Sequence, residues 1–185
     1  MAWITKNSAA MKVERRDEPF LTDAMKAETT ETYLPRYETK HGALIPVLHM
    51  VQHEYGWLPK QSLMEIADFL DLTPADVIDT ASFYEEFWLE PKGKHTISVC
   101  RSIACEFCDH KAVTDACREK LGIEIGETTD DEQFTLVELE CLGACGEAPA
   151  VLVDEKLVKY CTPEQIVKEI EDINANPDAG SGHGH

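Results

Sequence analysis

The chain has 185 residues, 17 basic and 35 acidic, for a formal charge of −18. Such a charge repels phosphate backbones and argues against broad nucleic-acid binding, and no apolar run approaches the roughly 18 residues of a membrane span. With 43% hydrophobic and 8% aromatic residues, the chain has the composition of one or two folded domains.

Residues 1–19 are polar and mixed in charge, and are expected as a flexible tail with no apolar run long enough for an export signal. Residues 20–90 carry four helical patterns and predict a small helical bundle. The first, Thr22 to Tyr37, is weakened by Thr29, Thr30 and Thr32. The second places Leu44, Val47, Leu48, Val51 and Tyr55 at helical spacing and stops at Gly56. The third runs from Pro59 to Leu70, with Leu63, Ile66, Ala67 and Leu70 on one face. The fourth opens with Thr73 as cap, Pro74 at the first position and Asp76 three after the cap. It leads into an aromatic run of Phe83, Tyr84, Phe87 and Trp88, which suits either packing or a partner surface.

Pro91-Lys92-Gly93 marks a domain boundary, and residues 91–173 change pattern. Thr96 to Val99 predict a strand ending on Cys100. A helix follows from Asp109 to Leu121, with Gly122 as its stop. Residues 122–133 read as a polar loop. Phe134 to Glu140 predict a strand with apolar groups on both faces, as for a central position. Ala150 to Val153 and Leu157 to Tyr160 read as a hairpin. Thr162-Pro163-Glu164-Gln165 is a capping box that opens a last helix burying Ile166, Val167, Ile170 and Ile173. Residues 174–185 are expected as a disordered tail, in which His183 and His185 read as solvated rather than metal-binding. The fold class is α+β: a helical bundle followed by a small sheet flanked by helices.

All seven cysteines fall between Cys100 and Cys161. An odd count without an export signal argues against a disulfide framework and for metal or redox chemistry. Cys100 and Cys105 follow one predicted strand, and Cys141 and Cys145 follow the next. If those strands are parallel neighbours, four thiols converge at one end of the sheet and suit a soft metal centre. The spacings, C-x4-C and C-x3-C, accommodate zinc or a two-iron cluster, and suit the cluster better.

Cys105-Glu106-Phe107-Cys108 also has the form of a thioredoxin dithiol, but that reading leaves the C-x3-C loop unexplained. Cys117 and Cys161 read as core packing. Glu124 to Glu140 hold seven carboxylates and no lysine or arginine. This is foremost a solvated surface, with a modest lowering effect on the potential of any nearby cluster. There is no glycine-rich nucleotide fingerprint, so hydride chemistry is expected on another chain.

The stretches Cys100-x4-Cys105, Gly126-Glu127-Thr128-Thr129, Phe134-Thr135-Leu136 and Glu140-Cys141-Leu142-Gly143-Ala144-Cys145-x3-Pro149 resemble the family of the 24 kDa subunit of respiratory complex I (NADH–quinone oxidoreductase). Leu44-Ile45-Pro46-x-Leu48, Gln52-x3-Gly56-x-Leu58-Pro59, Ile66-Ala67, Ser82-Phe83-Tyr84 and Gly93-Lys94 extend the resemblance to about residues 30–172. It implies a helical bundle joined to a thioredoxin-like [2Fe-2S] ferredoxin domain, with Cys100, Cys105, Cys141 and Cys145 as cluster ligands. It further implies an electron-transfer subunit of an NADH dehydrogenase, cytoplasmic and peripheral to the inner membrane. The partners implied are a flavoprotein subunit that binds FMN and NADH, and further iron–sulfur subunits. Related subunits serve NAD-linked hydrogenases and formate dehydrogenases; a thiol oxidoreductase or a zinc-binding adaptor are the readings from other classes. The sequence departs from the family between the first two ligands. Members often have small residues there, commonly Gly-Thr, whereas this chain has Arg101-Ser102-Ile103-Ala104.

Overall fold

The computed structural model describes residues 16–176. The chain divides into two compact units between Pro91 and Lys92. The tails expected over 1–15 and 177–185 lie outside the described residues, His183 and His185 among them. Arg16 to Pro19, assigned in the sequence to a loose tail, are held in place. The Arg16 guanidinium lies 3.7 Å from the Phe20 ring centroid and donates to the Tyr55 hydroxyl and the Pro19 carbonyl.

In the first unit, α1 (Asp23–Glu28) is shorter than the helix expected over Thr22 to Tyr37. The chain widens into an i→i+5 turn over Thr29–Tyr33, then tightens over Leu34–Arg36. The cause is local: the Thr29 and Thr30 hydroxyls donate to the carbonyls of Met25 and Lys26, each at 2.7 Å. Such back-bonding loosens helices, and Pro35 contributes no N–H. α2 (Leu44–Tyr55), α3 (Lys60–Leu70) and α4 (Pro74–Phe83) follow the sequence patterns closely. α2 ends at Gly56, whose φ of 78° is the left-handed turn that glycine accepts without strain. α4 opens on the expected capping box, with Thr73 and Asp76 each bonding the other's backbone. Leu44, Leu48, Val51, Leu58, Ile66 and Leu70 are fully buried in a common core. Of the aromatic run, Phe87 belongs to this core while Phe83 is 77% exposed. The Gln52 amide fixes the run's backbone: it donates to the Glu86 carbonyl and accepts from the Trp88 N–H.

The second unit is a four-stranded sheet with helices. β1 (His95–Cys100) is followed by α5 (Ile103–Phe107), α6 (His110–Leu121), β2 (Phe134–Leu139), β3 (Val151–Val153), β4 (Lys156–Val158) and α7 (Pro163–Ala175). The strand order is β2-β1-β3-β4. β1 and β2 run parallel, as the cysteine argument required, and β1–β3 and β3–β4 are antiparallel. Ile97, Val99, Leu136, Val151, Ile166 and Ile170 form the core, and α6 packs on α7.

β2 is an edge strand, which corrects the central position expected from its apolar pattern. The supposed polar loop explains the difference by covering that edge. Gly126 donates to the Leu136 carbonyl, Leu136 to Glu127 and Thr129 to Phe134, at 2.7 to 3.1 Å. An edge so paired offers no free ladder to another chain. At the other end of the sheet, buried His95 lies 2.8 Å from Asp154 in the β3–β4 turn. The same carboxylate accepts the Thr96 N–H. β1 is thereby fastened at its start, leaving its C-terminal end to carry the thiols.

Candidate metal centre

The parallel register aligns Cys100 with Leu139, so the loops after β1 and β2 leave the sheet side by side. Cys100 is the last residue of β1 and is buried; its N–H donates to the Ala150 carbonyl. The next N–H, from Arg101, donates to Leu139 of β2. Ser102 then opens α5, a helix of five residues that sequence periodicity is too short to reveal. One turn of it returns the buried Cys105 to Cys100, and the two share one buried cluster. Burial pushes the Cys105 thiol above its ordinary range, and the nearby Cys100 and Cys145 sulfurs add to that shift.

The second loop supplies two exposed thiols. Cys141 follows β2 by two residues, and its Sγ accepts the Gly143 N–H at 3.3 Å. Gly143 has a φ of 71°, which turns the loop back toward the sulfur. That hydrogen bond, foremost, holds the Cys141 thiol below its ordinary range; contacts from Ser102 and Cys145 act in the same direction. Cys145 begins a short 3-10 turn over Cys145–Glu147. Cys100 and Cys105 share a small buried cluster with Ala150, against which Leu142, Ala144, Ala148 and Leu157 pack. One side of the site is therefore apolar and dry, and the other open.

The four thiols named from the sequence thus lie on two neighbouring loops: Cys100 and Cys105 in one buried cluster after β1, and Cys141 and Cys145 exposed after β2. Among the described residues, no three His, Cys, Asp or Glu side chains are drawn together into a cage for a single metal ion. The donor set, four soft sulfurs in two pairs, fits a centre in which each pair serves its own iron.

The other cysteines lie elsewhere. Cys108 is exposed at the C-terminal end of α5. Cys117 and Cys161 are buried in the core, where desolvation pushes their thiols up to about 12 and about 11.

Two features were not singled out in the sequence. Arg101, next to Cys100, pairs with Glu140, next to Cys141. Buried His110 places Nδ1 at 3.2 Å from Glu106, four residues before it, and Nε2 at 3.8 Å from Glu138 of β2. The Arg101–Glu140 and His110–Glu138 contacts depend on the parallel register, which local sequence does not display.

Comparison with known proteins gives consistent matches. A family model described as thioredoxin-like [2Fe-2S] ferredoxin matches residues 30–174. The E subunit of NADH-quinone oxidoreductase from Escherichia coli strain K12 is 35% identical over 154 residues, covering 83% of this chain and 93% of the relative. The protein of the same name from Pseudomonas aeruginosa is 33% identical over 152 residues, covering 82% and 92%. Among solved structures, an NAD+-reducing [NiFe]-hydrogenase in the H2-reduced state matches with a TM-score of 0.63 and 25% identity. That match covers 76% of this chain but spans only 23% of the hydrogenase chain.

Proposed function

This chain belongs to the thioredoxin-like [2Fe-2S] ferredoxin family, and from that premise we propose that it is an electron-transfer subunit of an NADH:quinone oxidoreductase. The carrying observation is the pair of cysteine loops side by side at the ends of two parallel neighbouring strands. Cys100, Cys105, Cys141 and Cys145 are the proposed ligands. Bound there, a [2Fe-2S] cluster supplies one-electron storage and transfer.

The chain's own residues hold and tune. Cys100 and Cys105 anchor the dry side of the site, and Ala150, Leu142 and Leu157 keep water from it. The Gly143 N–H stabilises negative charge on the Cys141 sulfur. Cys141 and Cys145, exposed, give the side from which an electron can enter or leave. Hydride chemistry is assigned to a partner flavoprotein that binds FMN and NADH, with further iron–sulfur subunits beyond it. The resemblance to NADH-quinone oxidoreductase subunits assigns it a peripheral position on the inner membrane through the complex; no helix among the described residues is long and apolar enough to cross a membrane.

The second reading is the equivalent subunit of an NAD-linked hydrogenase, favoured by the structural match to that enzyme. The 35% identity to an NADH-quinone oxidoreductase subunit over 83% of the chain and 93% of that relative favours the first.

Anaerobic purification of the full chain tests the proposal. A brown protein with two irons and two sulfides, and a one-electron paramagnetic signal on reduction, is expected. Colourless protein holding a single zinc ion would sink it. Copurification then identifies the parent enzyme: a flavoprotein with quinone-reductase subunits, or a nickel subunit.

A further inference from the structure

The aromatic run at the end of α4 is only half absorbed by the fold. Phe87 lies in the core and Trp88 is half-buried, whereas Phe83 and Tyr84 are exposed. The two exposed rings are nevertheless braced. They meet edge to face with centroids 5.0 Å apart, and Tyr84 meets the buried Phe87 at 6.4 Å. Gln52 holds the backbone just beyond them through Glu86 and Trp88. Beside the rings runs an open groove of about 420 Å³, lined by Leu44, Ile45 and Asp79, with His41 on its opposite wall.

Negative charge prevails around this groove. Pro74 to Glu90 hold five carboxylates and no lysine or arginine, and Asp79, Glu85 and Glu86 are exposed. α4 ends at Phe83 with no basic side chain in its last turn, so its C-terminal carbonyls add the negative pole of the helix. The opposite wall, the 3-10 turn over Lys40–Ala43, brings one lysine. Residues 16–91 as a whole have 15 acidic and 5 basic side chains.

We propose that the groove and the Phe83–Tyr84 pair dock a basic, apolar-faced segment of another subunit of the same complex. The inference rests on the chain being such a subunit, as proposed above. An apolar side chain of the segment fills the groove against Leu44 and Ile45. Its lysine or arginine lies over the face of Phe83 or Tyr84, beside Glu85 and Glu86. Rings held in place before binding lose little freedom on docking. Charge selects the occupant. A second copy of this chain, at −18, meets like charge, and an anionic membrane surface is repelled in the same way.

The test uses the full chain in its assembled complex, with p-benzoylphenylalanine in place of Phe83. After irradiation, crosslinked peptides are identified by mass spectrometry. The expected product joins position 83 to another subunit, at an apolar residue with a lysine or arginine within one helical turn. Crosslinks to any other part of this chain, residues 1–15 included, to a second copy, to lipid or to an acidic segment overturn the proposal. So does an assembled complex that gives no crosslink. A second measurement follows release of the chain from the isolated complex as salt is raised. Phe83→Ala and the double variant Glu85→Lys, Glu86→Lys are each expected to leave about tenfold faster than wild type, with iron and sulfide content unchanged. Unchanged release of either variant overturns the proposal. A chain that copurifies with no other subunit refutes the proposed function itself and this inference with it, a distinct result.

Discussion

The Arg101 guanidinium pairs with the Glu140 carboxylate, tying the residue after Cys100 to the residue before Cys141. The pair holds the Glu140 carboxyl below the usual carboxylate range. It bridges the loop after β1 to the loop after β2. Glu140→Gln keeps the shape and removes the charge. Both side chains are substantially exposed, so unfolding by urea is expected to change little. Loss of iron to a chelator should quicken by about tenfold, as when an outer-shell partner of a metal site is removed. Bleaching of the visible band after chelator addition measures this, and an unchanged rate would count against the latch.

Ligand and packing cysteines separate under mutation. Cys141→Ala and Cys145→Ala are expected to lose the cluster. Cys117→Ala should keep it and cost on the order of 1 kcal/mol of stability, since Cys117 is fully buried in the α6–α7 core. Iron and sulfide analysis, with urea unfolding of the Cys117 variant, distinguishes the two. Full cluster content in Cys141→Ala would refute the ligand set.

Thiol chemistry gives a third outcome without mutation. Burial pushes Cys117 up to about 12 and Cys161 up to about 11, so both stay protonated and unreactive at pH 8. Cys108 is exposed. Iodoacetamide on the folded, cluster-loaded chain should label Cys108 alone, and label Cys117 and Cys161 only after denaturation. Peptide mass mapping reads this directly.

Gly93 donates its N–H to the Thr135 hydroxyl at 2.6 Å, and a Cβ there would lie 2.8 Å from the Phe134 backbone. Backbone cannot yield as a side-chain tip can. Gly93→Ala is therefore expected to destabilise the chain by about 1–3 kcal/mol, measured by urea unfolding. A neutral result would show that β2 shifts to admit the methyl group.

The capping box of α4 gives a pH dependence. Hydrogen bonds from the Thr73 side chain and backbone lower the Asp76 pKa in the folded state. A depressed carboxylate stabilises the fold above its unfolded pKa of about 3.9, and the contribution is lost as pH falls through the folded value. The Tm of wild type should therefore fall more steeply than that of Asp76→Asn between about pH 5 and pH 2. Parallel profiles would remove Asp76 from the account.

What the sequence displayed was what local chemistry decides. α2, α3, α4 and α7 have apolar periodicity and sharp ends at Gly56, Thr73 or Thr162, and the structure follows them. The parallel pairing of β1 and β2 entered only as the condition on which the two cysteine pairs could converge, and the structure meets it. Position within the sheet was not. Leu136 looks central because a loop, Gly126 to Thr129, shields it through backbone bonds, and such bonds leave no pattern of side chains. α5 was missed because five residues hold barely one turn. The contact of Arg101 was missed for a different reason: its partner, Glu140, lies 39 residues away and meets it only through the register.

The parallel pairing of β1 and β2 also orders events in time. Antiparallel neighbours can close through a tight turn, but parallel ones must wait for a crossover. Here that crossover is the α5–α6 segment together with the loop before β2. During synthesis Cys100 and Cys105 emerge first, and Cys141 has no place to go until β2 has docked. The entropy of closing so long a loop must be met before any long-range contact repays it. The four proposed ligands therefore come together only once β2 has paired with β1.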